Sequence, residues 1–289
     1  MSEMKITVGM CSAAKLKEDY FKYQGVSQEY IVYVEGKTDQ RFYSKILDDR
    51  LVQCWTVKEM ERAESRYWYY KSNKRKIVES VKSMKNPPNF GIVDRDHEKK
   101  EEEKGIFYTD TRDLESILIF SDEQLYTKLG CSISSDDYSK SLFMAYQWGY
   151  VKQKINLYNY PKNTNINDGI ELCFNDALQI SIASVREYLK KNNGCFLSDD
   201  QEQIIDRFIK TDKNIYQGVW NTSYQTVRHI SDLWDFVGGH DFEYFLKIIN
   251  QDVANEKNFG YALIDNYDIS CFKSTNLYRL LSMANLVKI

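Results

Sequence analysis

The first third of the chain alternates short apolar segments with segments of helical periodicity. The apolar segments are rich in β-branched or aromatic side chains, which predicts buried strands. They cover 31–35, 51–57, 90–93 and 106–109. Apolar positions recur with a helical period over 38–49 and from about Ala63 to Met84, and Pro87-Pro88 ends the second of these helices. Strands that alternate with helices predict an α/β fold with a parallel sheet flanked by helices.

The pattern changes to helices beyond residue 114. Helical periodicity covers 201–209 and 241–249. An apolar stripe at helical spacing also predicts a helix through Phe174, Leu178, Ile182, Val185 and Leu189. The long run of predicted helices indicates a mainly helical region that is inserted into the α/β core or appended to it.

This change of pattern divides the chain into three predicted parts. The α/β core covers 28–120, and the mainly helical insertion or second domain covers 121–235. Residues 236–289 are predicted to return to the core and to end in a helical segment. A chain of 289 residues is long enough for one large domain or two modest ones.

The composition indicates a globular protein of the cytoplasm. Hydrophobic residues make up 43% of the chain and charged residues 28%, with three prolines. The six cysteines are scattered and form no CxxC pair, so they are predicted to be reduced thiols. The N-terminal segment lacks the apolar core of a signal peptide, and no apolar run approaches the ~20 residues that span a bilayer. We therefore expect no membrane association.

The net charge argues against general, sequence-independent binding of nucleic acid. The formal charge is −3, whereas such binding depends on a large basic excess that neutralises phosphates. Any contact with nucleic acid must therefore be local. A cluster of acidic metal ligands would itself lower the total charge, so the mild acidity is compatible with a nuclease.

Acidic residues follow three of the four predicted strands. In an open parallel sheet, ligands bind at the carboxyl ends of the strands, so these positions are the first to inspect. The acids there are Glu35 with Asp39, Asp94 with Asp96, and Asp110 with Asp113 and Glu115. Hard cations such as Mg²⁺ take carboxylate oxygens and suit phosphate chemistry. The acids are therefore candidate metal ligands, provided that they converge in space.

Each of these acids also has a structural interpretation. Asp39, Asp113 and Glu115 fall in the first turns of predicted helices, where the helix dipole favours a negative charge. A DxD sequence after an apolar strand is common. The stretch EGKT at 35–38 resembles the end of a phosphate-binding P-loop, but that loop requires glycine at position 31, which is isoleucine. We therefore reject an ATPase, and we interpret Lys37 as a solvated residue.

Three stretches together resemble the successive motifs of TOPRIM domains. They are VEGKTDQRFY at 34–43, GIVDRDHE at 91–98 and TDTRDLES at 109–116. Their order and wording are most similar to the TOPRIM nucleases of the overcoming-lysogenization-defect-like group, and particularly to the AriB-type effectors of PARIS anti-phage systems. The resemblance covers about residues 30–120, with a return at GGHDFEYFL, 238–246. It implies a TOPRIM-like α/β fold.

The resemblance also implies roles for individual acids. Glu35 corresponds to the TOPRIM glutamate, a metal ligand or proton carrier, and Asp94 and Asp96 correspond to its metal-binding pair. Asp39 and Glu115 match acidic positions of the nuclease branch that help to hold a second metal ion. The implied cofactor is Mg²⁺ or Mn²⁺.

One position departs from the nuclease pattern. That branch has a Gly-Lys pair before a helix near the end of the domain, with a lysine thought to contact the phosphate or a metal-bound water. This chain has Gly239-His240 instead. His240 is therefore a candidate catalytic group, and a capping or packing role for it stays open.

The implied function is hydrolysis of nucleic-acid phosphodiester bonds by an effector used in anti-phage defence. In that group the effector is toxic, is held inactive by a partner ATPase of the ABC type, and is released on phage infection. Its target is DNA or host RNA, including tRNA. Self-association into a homodimer stays open.

Two other functions compete with the nuclease. The stretch FGIVDRD fits a haloacid-dehalogenase-like phosphatase, in which Asp94 would be the covalent nucleophile. Against it, that signature usually lies near the N-terminus and makes no use of the upstream VEGKTD. Alternatively, the acids bind a metal ion only structurally and the helical half mediates assembly.

A basic stretch over 71–85 is a candidate contact for nucleic acid. Its cations Lys71, Arg75, Lys82 and Lys85 fall roughly on one helical face. They either follow a phosphate backbone or form a solvated face. Tyr67, Trp68, Tyr69 and Tyr70 precede this stretch and either stack on bases or pack within the protein.

Overall fold

The structure is a computed structural model in which the chain forms two compact units. The first unit contains the chain up to Asp94, residues 100–109 and the chain from Lys273 onward, and the second contains 95–99 and 110–272. The residues that the structure describes are 30–64, 72–83, 89–96, 103–129, 133–154, 170–174, 178–193, 197–211, 227, 230, 232–254 and 258–288. The domain boundaries predicted from the sequence stay a prediction.

The first unit is built on a four-stranded sheet. Its strands are β1 (Tyr30–Val34), β2 (Val52–Thr56), β3 (Asn89–Val93) and β4 (Ile106–Tyr108). Their order in space is β2-β1-β3-β4, and every neighbouring pair is parallel. The predicted α/β class with a parallel sheet is therefore confirmed.

Helices flank this sheet and bury its apolar residues. They are α1 (Lys37–Ile46), α2 (Val57–Glu64), α3 (Asn73–Ser83) and, near the C-terminus, the helix Asn276–Met283. Ile31 and Tyr33 of β1 lie two residues apart and so point to the same face of the sheet. On that face they pack with Met60 of α2 and Ile77 of α3 in one apolar core. Burial on this scale is the main force that holds strands and helices together.

The structure corrects the predicted start of the helix assigned to 63–84. Helix α2 begins at Val57, directly after β2, because Thr56 and Glu59 form a reciprocal cap. Glu59 Oε2 accepts hydrogen bonds from Thr56 N at 2.7 Å and from Thr56 Oγ1 at 2.9 Å. In return, Glu59 N donates to Thr56 Oγ1 at 3.4 Å. The middle of the predicted helix, residues 65–71, lies outside the described residues.

The described part of the second unit contains the following helices and no strand longer than a single bridge. They are α4 (Leu114–Ser121), α5 (Leu125–Lys128), α6 (Ser135–Lys154), α7 (Ile182–Asn193), α8 (Asp199–Thr211), α9 (Leu233–Phe236), α10 (Gly239–Ile249), α11 (Gln251–Ala254), α12 (Phe259–Asn266) and α13 (Ile269–Phe272). Helix α6 packs against α10, where Tyr138 and Phe242 meet with ring centroids 4.8 Å apart. The predicted helical character of this region is confirmed.

The helix predicted through the stripe from Phe174 to Leu189 is wrong in its first part. Phe174 forms an antiparallel bridge with Ile180, and Leu178 has a φ of 49°. A positive φ is incompatible with a right-handed helix, so the helical stretch starts only at Ile182, the first residue of α7. Of the five stripe residues, Val185 and Leu189 are buried, whereas Phe174, Leu178 and Ile182 are half-buried.

The structure bears on two predictions from the sequence, the lack of a membrane span and the reduced state of the cysteines. Among the described helices, none has the length and apolar character that a membrane span requires. Cys54, Cys173 and Cys271 are free thiols, as predicted for them. The cytoplasmic location stays a prediction.

Candidate active site

The strand order creates a change of direction between β1 and β3. From β1 the chain goes on to β2 on one side, and it then returns to β3 on the other side of β1. At such a switch point the connections leave in opposite directions, so a crevice opens at the carboxyl ends of the two strands, where ligands bind. Glu35 directly follows β1 and Asp94 directly follows β3. Both acids therefore lie at the switch point.

A hydrogen bond joins these two acids. The backbone N–H of Asp94 donates to Glu35 Oε1 at 3.1 Å, although the residues are 59 positions apart in the chain. The backbone carbonyl of Glu35 accepts from Asn73 Nδ2 at 3.2 Å, which ties the same turn to α3. Both acids are partly exposed. The structure thus brings the TOPRIM-like glutamate and the first aspartate of the DxD pair together at a solvent-accessible edge of the sheet.

Asp39 caps a helix. Its Oδ2 accepts a hydrogen bond from Gly36 N at 2.8 Å, and Gly36 is the N-cap of α1. This bond supports the capping interpretation of Asp39, while its role as a metal ligand stays a prediction. Lys37, at the start of the same helix, is well exposed and pairs with Glu59 at 3.3 Å, in line with a solvated residue.

Asp96, the second aspartate of the DxD pair, belongs to the second unit. It is exposed and has a φ of 51°, a left-handed conformation that aspartate tolerates better than most residues. Its backbone N–H donates to Arg112 O at 2.8 Å. Next to it, Arg95 pairs with Asp235 at 2.7 Å. These bonds hold Arg95 and Asp96 against the segments of the second unit that carry Asp235 and Arg112.

Asp113 joins the starts of two helices in the second unit. As the N-cap of α4, its Oδ1 accepts from Ser116 N at 2.8 Å. The same carboxylate accepts from Gly239 N, the first amide of α10, at 3.0 and 2.8 Å. Each amide would otherwise be one of the unsatisfied donors at a helix N-terminus. The capping interpretation of Asp113 is therefore confirmed, and the carboxylate serves a second helix that the sequence did not indicate.

Glu115 and His240 are neighbours because Asp113 joins the starts of α4 and α10. Glu115 lies in the first turn of α4 and His240 is the second residue of α10. Gly239 lies so close to Glu115 that a Cβ on Gly239 would overlap the Cβ of Glu115. Glycine is thus required here by close approach of the two helices. The structure brings together the third acidic motif and the Gly-His pair, which the sequence matched to separate parts of the TOPRIM pattern.

The charges of this pair affect each other. Burial, with a further contribution from the Asp113 carboxylate, raises the pKa of Glu115 to about 7, and the charge of His240 opposes that increase. For His240, burial disfavours the charged imidazole, but the carboxylates of Glu115 and Asp113 outweigh burial and raise its pKa above the usual value. A group whose pKa is near neutrality is suited to proton transfer.

Beside these residues lies a cluster of buried charges that the sequence analysis missed. Lys152 Nζ donates to both carboxylate oxygens of Asp241, and Arg112 lies 3.7 Å from the same carboxylate. Arg112 also donates to the backbone carbonyl of Phe236 at 2.5 Å. Arg112 lies in the motif stretch 109–116 and Asp241 in the stretch 238–246, so their position in the sequence could have indicated that they belong near the site. Lys152 lies 89 residues from Asp241, and no local pattern indicates it.

The predicted basic face is described only in part. Lys71 and Lys85 lie outside the described residues, as do Tyr67, Trp68, Tyr69 and Tyr70. Arg75 and Lys82 are exposed on α3, seven positions apart and so on the same helical face. Lys82 pairs with Glu103 at 2.9 Å. Contact of this face with nucleic acid stays a prediction.

The donors at the switch point fit a hard divalent cation. Glu35 and Asp94 each carry a carboxylate, and Mg²⁺ is commonly held by one or two carboxylates with the remaining positions left to water and substrate phosphate. Within the described residues, no group of three or more His, Cys, Asp or Glu side chains is arranged to hold a metal ion.

No protein-family model matches this chain, and no curated protein matches it.

Proposed function

We propose that this protein is a metal-dependent nuclease that hydrolyses phosphodiester bonds of a nucleic acid. The observation that carries the proposal is the hydrogen bond from Asp94 N to Glu35 Oε1 at the switch point of the parallel sheet. It makes neighbours of two acids from separate sequence motifs at the place where such sheets bind ligands.

In the proposed reaction, a water oxygen forms a bond to phosphorus while the bond from phosphorus to one sugar oxygen breaks. The leaving sugar oxygen takes a proton, and the attacking water loses one. Glu35 and Asp94 would hold a Mg²⁺ or Mn²⁺ ion, which when bound stabilises negative charge on the phosphate and lowers the pKa of its water. The hydrogen bond between the two residues keeps the Glu35 carboxylate at a fixed position, so little rearrangement is needed when the phosphate arrives.

The finer parts of the proposal come from the motif resemblance. Asp96, Glu115 and Asp39 are proposed as further metal ligands and His240 as a catalytic group. The proposed biological role is that of a toxic anti-phage effector in the cytoplasm that cleaves RNA such as tRNA, or DNA, under the control of a partner ATPase. Homodimer formation is part of the same proposal.

The proposal is tested with Glu35→Gln and Asp94→Asn. Glutamine keeps an oxygen that can accept the Asp94 N–H, but it removes the negative charge that a hard cation requires. We expect each variant to lose nucleic-acid cleavage with little change in stability. End-labelled tRNA, single-stranded DNA and duplex DNA are incubated with the protein over a Mg²⁺ and Mn²⁺ series, and the products are resolved on gels. The matched control is Asp49→Asn, which neutralises a well-exposed acid of the same unit.

Full cleavage by folded Glu35→Gln would remove the nuclease proposal. Hydrolysis of p-nitrophenyl phosphate that depends on Asp94 and not on Glu35, with an acyl-phosphate on Asp94 in the mass spectrum, would identify the phosphatase instead. Absence of any metal-dependent turnover would favour a metal-binding assembly protein. Sequencing the ends of cellular RNA and DNA after brief expression identifies the target.

A further inference from the structure

Four charged residues surround the starts of α4 and α10 in the second unit. Arg112, Lys152 and Asp241 have buried side chains, and Asp113 is partly buried. Two of these residues are formally cationic and two are anionic, so the group is balanced. Its members come from three separate parts of the chain: the segment before α4, the last turn of α6, and the first turn of α10.

Such a group is a poor way to increase stability. Removing charges from water is costly, and apolar residues of similar volume are often at least as stabilising. In some proteins buried charges instead specify one arrangement of the elements they join, since each charge requires its partner at hydrogen-bond distance.

The bonds of the group converge on the turn that precedes and starts α10. Arg112 binds the carbonyl of Phe236, just before the turn, and Asp113 binds the amide of Gly239 within it. Lys152 binds Asp241, just after it. A Cβ on Gly238 would lie 3.3 Å from Asp113 Oδ2, a tight contact that leaves little space. Hydrogen bonds from the cluster therefore fix the turn at Phe236 before it, at Gly239 within it and at Asp241 after it.

This turn carries His240, and the segment it is fastened to carries Glu115. We propose that Arg112, Asp113, Lys152 and Asp241 form a positioning cluster that holds Glu115 and His240 next to each other for the reaction, without contacting the substrate themselves. The inference rests on the proposed nuclease function in one respect, namely that Glu115 and His240 take part in it. Asp113 and Asp241 are then positioning residues, although they lie within acid-rich motifs.

The test removes the buried pair as a pair. Lys152→Met with Asp241→Asn eliminates one positive and one negative charge, so Arg112 and Asp113 still balance each other. The control is the ion pair of half-exposed Lys140 with exposed Asp136, which lies within α6, changed to methionine and asparagine in the same way. We expect the buried double variant to fold and to keep its KM. Its kcat is expected to fall about 100-fold, the loss that a displacement of about 1 Å can cause. The control variant is expected to match the wild type.

An NMR measurement separates this inference from the proposed function. The chain has three histidines, so the ring resonances of His240 are assigned by comparison with His240→Gln. We expect these resonances to move in the buried double variant and to stay in place in the control. If the wild type cuts no nucleic acid, the proposed function fails. The His240 resonances still show whether the cluster holds His240 in place. Unchanged His240 resonances together with unchanged kcat in the folded variant would overturn the positioning role.

Two further variants cover the case in which the double variant does not fold. Lys152→Arg keeps the charge and is expected to keep both kcat and the His240 resonances. Asp113→Asn keeps the size of the side chain but weakens its bond to Gly239, and it is expected to move the His240 resonances. Wild-type His240 resonances in Asp113→Asn would overturn the inference.

Discussion

Replacing Glu115 by glutamine is expected to stabilise the fold at pH 8 and to leave stability almost unchanged at pH 4.5. Burial and the Asp113 carboxylate raise the pKa of Glu115 from 4.5 to about 7. In the unfolded chain the carboxyl loses its proton near pH 4.5, so between these values the folded state holds more protons. The stability that the protonated carboxyl contributes is therefore fully present below pH 4.5 and is lost as the pH rises through about 7.

The size of the effect follows from the gap between the two pKa values. Each tenfold change in proton affinity corresponds to about 1.4 kcal/mol, so the charged carboxylate costs the folded state about 3 kcal/mol at pH 8. The charges around it include the repulsive Asp113 and Glu243 and the attractive His240. Glutamine is neutral at every pH and has nearly the same shape. It therefore removes the cost of the charge while it keeps the contact with Gly239.

The assay is urea unfolding followed by tryptophan fluorescence, with EDTA present so that metal binding does not contribute. The wild type is compared with Glu115→Gln at both pH values. The control is Glu123→Gln, an exposed acid just after α4, which is expected to change stability little at either pH. Equal stability of the wild type and Glu115→Gln at pH 8 would refute the inference that burial and Asp113 disfavour the charge on Glu115.

Other variants test packing and nucleic-acid contact. Gly149→Ala gains about 1 kcal/mol of helix propensity, but its Cβ would overlap the carbonyl oxygen of Phe236, so we expect a net loss of about 1–3 kcal/mol in urea unfolding. Gly36→Ala, whose Cβ would meet its nearest neighbour at 3.5 Å, is the control and is expected to lose less than about 1 kcal/mol. Changing Arg75 and Lys82 to glutamine should lower the salt dependence of nucleic-acid binding by about 1.4 to 1.8 in slope, measured by fluorescence anisotropy. An unchanged slope would show that these two cations are only solvated.

Local patterns were sufficient for the strands and for the acids that end them. The buried strands and the helix after β1 are visible in the sequence, because side-chain alternation and helical spacing depend only on neighbouring residues. The same is true of the cap formed by Gly36 and Asp39. The cap of Thr56 and Glu59 also depends only on neighbouring residues. Its TxxE signature predicts the start of α2, which the apolar pattern placed too late in the chain.

The arrangement of these elements was decided only by the tertiary structure. A sequence of strands permits several strand orders, and the observed order is what places Glu35 beside Asp94 at a switch point. The contacts of the second unit are still longer in range. Asp113 binds an amide 126 positions away, and Lys152 binds a carboxylate 89 positions away. Periodicity carries no information about such pairs, because they form only when packing of the apolar helix faces brings distant helix ends together.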